Sequence, residues 1–500
     1  MRLSPVAIDV ATLVAGLLLP FAFSPFDLFP LAVLSPALLF VCWRHADPGR
    51  AAFRGFLFGL GMFGLGVSWI YVSLHLYGNM PAPLAAFATL LFVATVSLYP
   101  ALLGWLQARF FPVQGAWKTI VALPSLWMLV EWLRGWLFTG FPWLNLGYSQ
   151  ASSPLAGYAS WVGVYGTGFF CALSAGLLAW GAQYPKKFLR AGLPWLAAVW
   201  IGGWFAGKAE WVEPAGEPIR VALIQGNVPL DDKWRPGNRD AIMQRYASMS
   251  VAAPRSDLIV WPESALPVYL DTIDPAYLDG LHQWGQANSV DFLFGVVERD
   301  KDRRRYYNSV MSISPQPGLY RKQHLVPFGE YPPLEPVFSW LMQHLQIPMS
   351  DFTAGLPGQP LLFAAGQKLG VSVCYEDAFG EEVIRALPAA TLLVNVSEDA
   401  WFGDSLAPHQ RIQMARLRAI ETGRPLLRVA NTGPSAAIDH RGHVLAHSRQ
   451  FQATTVSASV QPMQGATPYV RFGNFPVVAL ASLLLVTGLM RQNVRLPKKR

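Results

Sequence analysis

The chain has 500 residues, of which 52% are hydrophobic and 14% are charged, and its formal net charge is +8. Such a chain is too long for one ordinary domain and too apolar for an ordinary soluble protein, so membrane insertion is the leading interpretation. Binding to nucleic acid is disfavoured, because the basic residues form short clusters beside apolar runs and no basic face interleaved with aromatic residues. Apolar residues crowd into 1–206 and 474–490, which predicts a membrane part and a water-facing part.

Several apolar stretches have the roughly 20 residues that a transmembrane helix needs. All but the last form a predicted N-terminal domain, 1–207, and the last lies between a water-facing domain, 217–470, and a basic tail, 491–500. The third stretch contains GFLFGLGMFGLG, whose small residues allow close packing between helices. The eight predicted spans are 6–23, 26–43, 53–74, 83–110, 118–138, 157–182, 191–207 and 474–490.

The charges of the predicted loops alternate along the chain. The segments 75–83 and 139–158 contain neither Lys nor Arg, and the C-terminal tail is basic. By the positive-inside rule, both termini are cytoplasmic and the water-facing domain lies outside the membrane. A cleaved N-terminal signal peptide is the alternative, but no A-x-A-like site follows the first apolar run. The basic loops contain Arg44, Arg50, Arg54, Arg109, Lys118, Lys186, Lys187 and Arg190.

Two charged residues, Glu131 and Arg134, lie three positions apart inside the fifth predicted span. A charged side chain at the centre of a lipid-exposed helix costs about 2.5 to 3.5 kcal/mol, so we expect the two to pair with each other or to line a polar cavity. A role in holding a lipid headgroup is the alternative.

The water-facing domain has the pattern of an α/β fold. A helical pattern is clearest at 409–423, between two of the predicted strands. Polar residues collect at the carboxyl ends of the strands, which suggests a site along one edge of the sheets. The short β-branched runs that indicate strands are IRVALIQGNV, DLIVWPESA, VDFLFGVVE, NSVMSIS, LGVSVCYED, ATLLVNVSED and LRVANTGPSAAID.

Cysteine is rare, and Cys374 is the only one of the three in the water-facing domain, so no disulfide can form there. Cys42 and Cys171 lie in apolar runs and are expected to be buried hydrophobic residues. Two carboxylates, Glu376 and Asp377, follow Cys374 closely. A reactive thiolate beside them requires positive charge from elsewhere in the fold.

Motifs at several strand ends, taken in order, resemble those of the carbon-nitrogen hydrolase (nitrilase) superfamily, and in particular its apolipoprotein N-acyltransferase branch. The resemblance implies a polytopic α-helical membrane domain of about eight helices and an α/β nitrilase-like αββα sandwich. One departure is Glu398 in SEDAWFGD, where asparagine is expected. The matching stretches are EWLRGWLFTGFPWLNLGYSQ, QGNV, WPESA, KQHLVPFGEYPP, VCYED, DAWFGDSLAPHQ and GRPLLRVANTG.

The resemblance implies a catalytic triad of Glu263 as general base, Lys322 as the cation that stabilises the oxyanion, and Cys374 as nucleophile. Attack on an ester needs a thiolate, and a free cysteine has a pKa of about 8.5, so a neighbouring base or cation must activate it. A single oxyanion donor is worth about 10² to 10³ in rate.

The resemblance also implies supporting roles for Glu330, Tyr375, Glu376 and Trp234. The two carboxylates would hold Lys322 or the incoming amine. Alternatively, Tyr375 only packs and Glu376 caps a helix that starts near 379. Trp234 is equally compatible with packing or with anchoring at the membrane interface.

The implied reaction is an acyl transfer in two steps. Cys374 takes an acyl chain from a phospholipid, the sn-1 chain of phosphatidylethanolamine, and passes it to the α-amino group of the S-diacylglyceryl-cysteine at an apolipoprotein N-terminus. The resemblance implies an enzyme of the bacterial inner membrane, with a periplasmic catalytic domain and no cofactor. A monomer is expected, because nothing outside the membrane helices suggests an obligate interface. The spacing of the histidines fits no metal site; these are His324, His409, His440 and His443.

Shielding a thioester from water requires an apolar pocket, which we expect the loops at 337–349 and 401–403 to line as lids. Ordinary packing of those apolar loops is the alternative. Two other functions stay open. A membrane-tethered amidase would use the same triad, and a non-enzymatic transporter or scaffold would carry a degenerate outer domain.

Overall fold

The computed structural model describes residues 4–300, 302, 304–331 and 351–495. They form two compact units. The helical unit consists of the chain before residue 72, Ala82–Ala209 and the chain after residue 470. The sandwich unit consists of Val72–Pro81 and Glu210–Val470. The sequence placed 72–81 with the membrane part, whereas the structure groups this short segment with the sandwich.

Helices occupy each of the predicted spans. Their starts follow from local capping: Ser4 Oγ accepts from Ala7 N ahead of the first helix, and Asp47 accepts from Arg50 N ahead of the third. The longer helices, in chain order, are α1 (Pro5–Leu18), α2 (Leu31–Cys42), α3 (Pro48–Gly66), α4 (Ala82–Phe110), α5 (Leu123–Arg134), α6 (Ala159–Gln183), α7 (Leu193–Ala206), α8 (Arg239–Val251), α9 (Pro275–Asn288), α10 (Ala407–Thr422) and α11 (Phe475–Arg495).

Only some of these helices are long and apolar enough to cross a membrane by themselves. Within the described residues, three segments qualify: Pro5–Ala22, Ala82–Phe110 and Pro154–Gln183. A fourth qualifies if Pro48–Gly66 and Trp69–Tyr77, which are bent by 52° relative to each other, count as one span. The number of eight spans therefore stays a prediction.

Small residues let helix α3 pack closely against its neighbours, as its sequence predicts. A Cβ on Gly55 would lie 2.2 Å from the Pro100 carbonyl oxygen of α4, and one on Gly61 would lie 2.5 Å from the Leu13 carbonyl oxygen of α1. Distances this short exclude any side chain, so the backbones of the three helices touch directly.

Both charged residues of the fifth span are buried, and they bind a loop rather than each other. Glu131 accepts from Leu146 N at 2.9 Å. Arg134 donates to the carbonyl oxygens of Phe141 and Trp143 and to Asn145 Oδ1, at 2.5 to 2.8 Å. The expected direct pairing is therefore absent among the described contacts, and the two charges fix the loop that follows α5.

The sandwich unit contains two mixed sheets of six strands and a two-stranded ribbon. The first sheet has the order β13-β2-β3-β4-β5-β6, the second β12-β11-β10-β9-β8-β7, and the ribbon pairs β1 with β14. The strands are β1 (Val212–Pro214), β2 (Ile219–Gln225), β3 (Leu258–Val260), β4 (Asp291–Arg299), β5 (Tyr306–Ile313), β6 (Gly318–Arg321), β7 (Leu362–Ala364), β8 (Gln367–Val373), β9 (Leu392–Ser397), β10 (Leu426–Ala430), β11 (Ala436–Ile438), β12 (Val444–His447), β13 (Thr454–Val460) and β14 (Met463–Gly465).

Alternating side chains place the two sheets face to face. Val221 and Leu223 of β2 share a buried core with Val394 and Val396 of β9, while the intervening Ala222 faces outward. Helices α8 and α9 cover the outer face of the first sheet, and α10 covers that of the second. These four layers are the αββα sandwich that the sequence predicts.

Parallel pairing brings the reactive strand ends together within each sheet. β2, β3 and β4 are parallel in the first sheet, and β8, β9 and β10 are parallel in the second. Residues that follow such strands lie at one edge of the sheet, which is where the candidate active site is built.

Candidate active site

Cys374 comes directly after β8 in a strained turn. Its φ is +54°, a left-handed conformation that costs a non-glycine residue roughly 1–3 kcal/mol. Buried hydrogen bonds hold it there: Asn395 Nδ2 and Arg411 Nη2 donate to the Cys374 carbonyl oxygen at 2.8 and 2.5 Å. The backbone is thereby held so that the thiol stands at the strand end.

Lys322 follows β6 and is almost completely buried, with 1% of its surface exposed. Its Nζ donates to Glu330 Oε1 at 2.9 Å and lies 4.0 Å from Glu263 Oε1. Burial alone would lower the pKa of Lys322, but the carboxylates of Glu330 and Glu263 outweigh burial and raise it above its ordinary value. The ammonium therefore stays charged at neutral pH.

Glu263 lies in the turn after β3, and Gly295 of β4 makes room for it. A Cβ on Gly295 would lie 2.6 Å from Glu263 Cα. Both carboxylate oxygens of Glu263 are occupied: Asn308 Nδ2 donates to Oε1 and Glu398 N to Oε2, each at 2.7 Å. The three residue types of the implied triad thus meet in one buried site.

The thiol of Cys374 is held in its neutral form. Burial raises its pKa to about 11 and Glu263 adds to the rise, while the positive charges of Lys322 and Arg411 oppose it. At pH 7 a thiol of this pKa is ionised in about one molecule in 10⁴. Among the carboxylates near this thiol, Glu263 raises its pKa most.

We expect the thiolate of Cys374 to form only at alkaline pH. Because the pKa is raised, absorbance at 240 nm in a spectrum of wild type minus Cys374→Ser should grow as the pH rises from 9 to 11. Cys42 and Cys171 are present in both proteins and cancel in the difference. A thiolate signal already complete at pH 7 would contradict this charge balance.

The carboxylates of Glu330 and Glu376 bind different partners. Glu330 binds Lys322 Nζ, as the sequence predicts for one of the two carboxylates. Glu376 instead accepts from Gln323 N, His324 N and Val373 N, at 2.6 to 3.0 Å. It joins the loop after Lys322 to the strand before Cys374 and does not cap the next helix, so it acts as a positioning residue.

Tyr375 and Trp234, the two aromatic residues for which the resemblance implies supporting roles, both contact the loop that follows Lys322. Tyr375 OH donates to the Leu325 carbonyl oxygen at 2.9 Å, and its ring lies 5.7 Å from Lys322 Nζ. Trp234 packs against the buried cluster that contains Leu325 and Phe352. Packing is therefore the contact that the structure gives Trp234, and its supporting role stays a prediction.

Sequence reasoning missed Arg411, which is 1% exposed and lies on the buried face of α10. Its Nη1 is 3.6 Å from Cys374 Sγ, and its Nη2 donates to Asp377 Oδ1 at 2.8 Å. Asp377, which the sequence left unassigned, is therefore the counter-ion of a cation beside Cys374. A helical period that places Arg411 on one face with Met414 and Ala415 was the available signal.

A second buried ion pair, Lys233 and Glu398, contacts Glu263. Lys233 Nζ donates to Glu398 Oε2 at 2.5 Å and to the Glu263 carbonyl oxygen at 3.1 Å. Asn431 Nδ2 donates to both oxygens of Glu398. An asparagine at 398 could not neutralise Lys233, so the unexpected glutamate has a physical partner in this chain.

Removing one charge of the Lys233–Glu398 pair is expected to lower the free energy of unfolding. Glu398→Gln leaves Lys233 as an uncompensated buried cation and should destabilise the sandwich unit by about 3–5 kcal/mol. The double variant Lys233→Met/Glu398→Gln should regain most of that loss. Chemical denaturation of the purified protein measures both, with the exposed Glu217→Gln as the matched control. A double variant no more stable than Glu398→Gln would show that the charge pairing is unimportant.

Two loops are predicted to act as lids, and the structure describes one of them. The segment 337–349 lies outside the described residues. Within 401–403, the Trp401 carbonyl oxygen accepts from Ser73 Oγ at 2.7 Å, and the rings of Trp401 and Tyr77 are 6.3 Å apart. This loop thus packs against Val72–Pro81 of the same unit.

His324 lies in the loop after Lys322, where its Nδ1 is 3.0 Å from Glu382 Oε1 and its ring stacks on Phe379. Among the described residues, no group of three or more His, Cys, Asp and Glu side chains is arranged to hold a metal ion.

Comparison with known proteins gives matches along nearly the whole chain. A family model described as apolipoprotein N-acyltransferase N-terminal domain matches residues 15–177, and one described as carbon-nitrogen hydrolase matches residues 220–469. A Methylococcus capsulatus protein named apolipoprotein N-acyltransferase is 46% identical over 470 residues, which cover 94% of this chain and 93% of the relative. A Nitrosomonas europaea protein of the same name is 47% identical over 484 residues, 96% of each.

A solved structure matches the sandwich region. Saccharomyces cerevisiae Nit3, a member of the nitrilase superfamily, covers 58% of this chain and 98% of its own, with a TM-score of 0.39 and 18% sequence identity.

Proposed function

The chain belongs to the apolipoprotein N-acyltransferase family, and on that premise we propose that it transfers an acyl chain from a phospholipid to the α-amino group of a diacylated lipoprotein. The observation that carries this proposal is the buried cluster of Cys374, Lys322 and Glu263. A nucleophile, a fixed cation and a base are the groups that acyl transfer through a covalent intermediate requires.

The first half-reaction loads the enzyme. Glu263 removes the proton of the Cys374 thiol as sulfur attacks the ester carbonyl of the phospholipid. Lys322 stabilises the negative charge that develops on the carbonyl oxygen. When the C–O bond breaks, Glu263 returns the proton to the leaving oxygen, and a lysophospholipid departs. The acyl chain is then held on Cys374 as a thioester.

The second half-reaction transfers the acyl chain from Cys374 to the lipoprotein amine. The lipoprotein amine attacks the thioester, Lys322 again stabilises the oxyanion, and Glu263 accepts the proton that the amine loses. The C–S bond breaks and the amide product leaves. Arg411, 3.6 Å from Sγ, stabilises the departing thiolate until it is protonated again.

Both proposed substrates are anchored in a bilayer by their acyl chains, which favours an enzyme held at membrane level. We place the protein in the bacterial inner membrane as a multi-pass monomer, with the sandwich unit in the periplasm and both termini in the cytoplasm. Phosphatidylethanolamine is the proposed donor, and the acceptor is the S-diacylglyceryl-cysteine of an apolipoprotein.

Product analysis tests the proposal. The purified full chain is incubated with phosphatidylethanolamine labelled in its sn-1 chain and with a diacylated lipopeptide. We expect the label in a triacylated peptide, together with an equal amount of lysophospholipid. Label released as free fatty acid, with no transfer to the peptide, would instead identify a hydrolase. Unchanged phospholipid in the presence of folded protein would contradict both enzymatic functions.

A further inference from the structure

A polar cavity lies at one end of the helical unit, away from any residue assigned to acyl transfer. It is partly open to solvent and has a volume of about 60 Å³. Its wall comes from the C-terminal ends of α2, α4 and α6 and from the chain that leads into α5, which are the ends next to the basic loops. The polar residues that line it are Arg44, Gln107, Gln114, Lys118, Thr119 and Gln183.

Lys118 is the central feature of this cavity. Only 5% of its surface is exposed, and among the described residues it has no hydrogen-bond or ion-pair partner. Largely burying a lysine without a counter-charge is unfavourable, so buried cations are normally paired. The cavity that Lys118 lines is where a negatively charged partner fits.

A second buried polar atom also lacks a partner. Gln107 is fully buried, its Nε2 donates to the Gly104 carbonyl oxygen at 3.1 Å, and its Oε1 accepts nothing from the described residues. An unsatisfied buried acceptor costs about 1–3 kcal/mol. A ligand that satisfies both Lys118 and Gln107 therefore needs a negative charge and a hydrogen-bond donor.

Arg44 supplies a further positive charge at the exposed side of the cavity. The Gln183 side-chain amide is oriented with its oxygen towards Arg44. In this orientation the oxygen accepts from Arg44 Nη1 and Nη2 at 3.1 and 3.2 Å. The guanidinium is thus held in place beside the opening. A fixed guanidinium and a buried ammonium converging on one space form a typical phosphate site.

We propose that this cavity binds a phosphate group that carries a hydrogen-bond donor, supplied by a phospholipid headgroup or by free phosphate. Basic pockets between membrane helices at the cytoplasmic side are suited to lipid headgroups, and the predicted topology puts these helix ends on that side. Binding there neutralises Lys118 and joins the ends of α2, α4 and α6. The site is independent of the acyl-transfer reaction.

Ligand-dependent thermal unfolding tests the proposal. The full chain is prepared with Cys374→Ser to prevent turnover, delipidated in a neutral detergent, and titrated with phosphatidylglycerol, with diacylglycerol of the same chains, or with inorganic phosphate against chloride at equal ionic strength. We expect phosphatidylglycerol to raise the unfolding midpoint more than diacylglycerol does. Lys118→Met should weaken the phosphate-dependent shift by about tenfold or more in apparent Kd. Lys186→Met, an exposed charge on the loop after α6, should not.

The outcomes separate the sources of phosphate. A shift that depends on Lys118 with phosphatidylglycerol alone identifies a lipid headgroup, and one that also occurs with inorganic phosphate identifies the phosphate group as sufficient. Arg44→Gln, at an exposed position, provides the same test if Lys118→Met does not fold. Equal shifts in wild type, Lys118→Met and Arg44→Gln would overturn the proposal.

Discussion

Replacing Cys374 by serine is expected to lower acyl transfer by at least about 10⁴-fold, as losses of a catalytic nucleophile do elsewhere. Serine keeps the size of the side chain and the strained turn, but its hydroxyl is a far weaker nucleophile than a thiol activated by Glu263. Steady-state transfer to a diacylated lipopeptide measures the loss. Cys42→Ser, the same chemical change in the helical unit, is the matched control and should retain activity.

The unfolding midpoint of Cys374→Ser should stay close to that of wild type, because Asn395 Nδ2 and Arg411 Nη2 donate to its carbonyl oxygen and a serine hydroxyl can still accept from Arg411 Nη1, which donates to sulfur at 3.6 Å in wild type. A variant that is folded and still transfers acyl chains within tenfold of the wild-type rate would rule out Cys374 as the nucleophile.

Lys322→Met is expected to lower kcat by about 10² to 10³, the usual cost of removing one oxyanion donor. The change also leaves Glu330 and Glu263 as buried carboxylates without their cation, so the protein should be destabilised by about 3–5 kcal/mol. Rate and stability are therefore both affected and have to be separated.

The double variant Lys322→Met/Glu330→Gln separates them. Neutralising Glu330 removes an unpaired charge and should restore much of the lost stability, measured as the unfolding midpoint. It cannot replace the cation at the oxyanion, so kcat should remain low. Recovery of kcat together with stability would show that Lys322 serves only to hold the fold.

The strands were largely predictable from sequence. Each of the runs singled out contains a strand of the structure, because buried parallel strands such as β3 and β9 are continuous apolar segments. The missed strands lie at the edges of the sheets or in the ribbon; β6 and β7 have four and three residues and carry no clear pattern, whereas β13 has seven residues and was also missed. Helix α10, predicted at 409–423, spans Ala407–Thr422.

The sequence indicated which residues make up the candidate site, and their catalytic roles stay predictions, but it did not indicate the network of contacts around them. Glu263, Lys322 and Cys374 follow strands in recognisable motifs. Lys233 and Glu398 are 165 residues apart, and only the packing of the two sheets brings them together. A lysine in a loop is normally solvated, so nothing local indicates that this one is buried.

The contacts of Glu376 also differ from those expected from the sequence. The resemblance implied that Glu376 would hold Lys322 or the incoming amine. In the structure its carboxylate accepts hydrogen bonds from backbone N–H groups of two segments that flank the site. The fold thus uses this carboxylate to fix geometry, and the positive charges of Lys322 and Arg411 face the thiol.

In the proposed reaction, the acyl chain passes through Cys374. Wild-type protein is incubated with phosphatidylethanolamine alone, and the peptide containing residue 374 is examined by mass spectrometry before and after addition of a diacylated lipopeptide. We predict an acyl thioester on Cys374 that disappears as the acyl chain is recovered on the lipopeptide amine. Transfer that proceeds without acylation of Cys374, or an adduct that the lipopeptide does not discharge, would contradict the account.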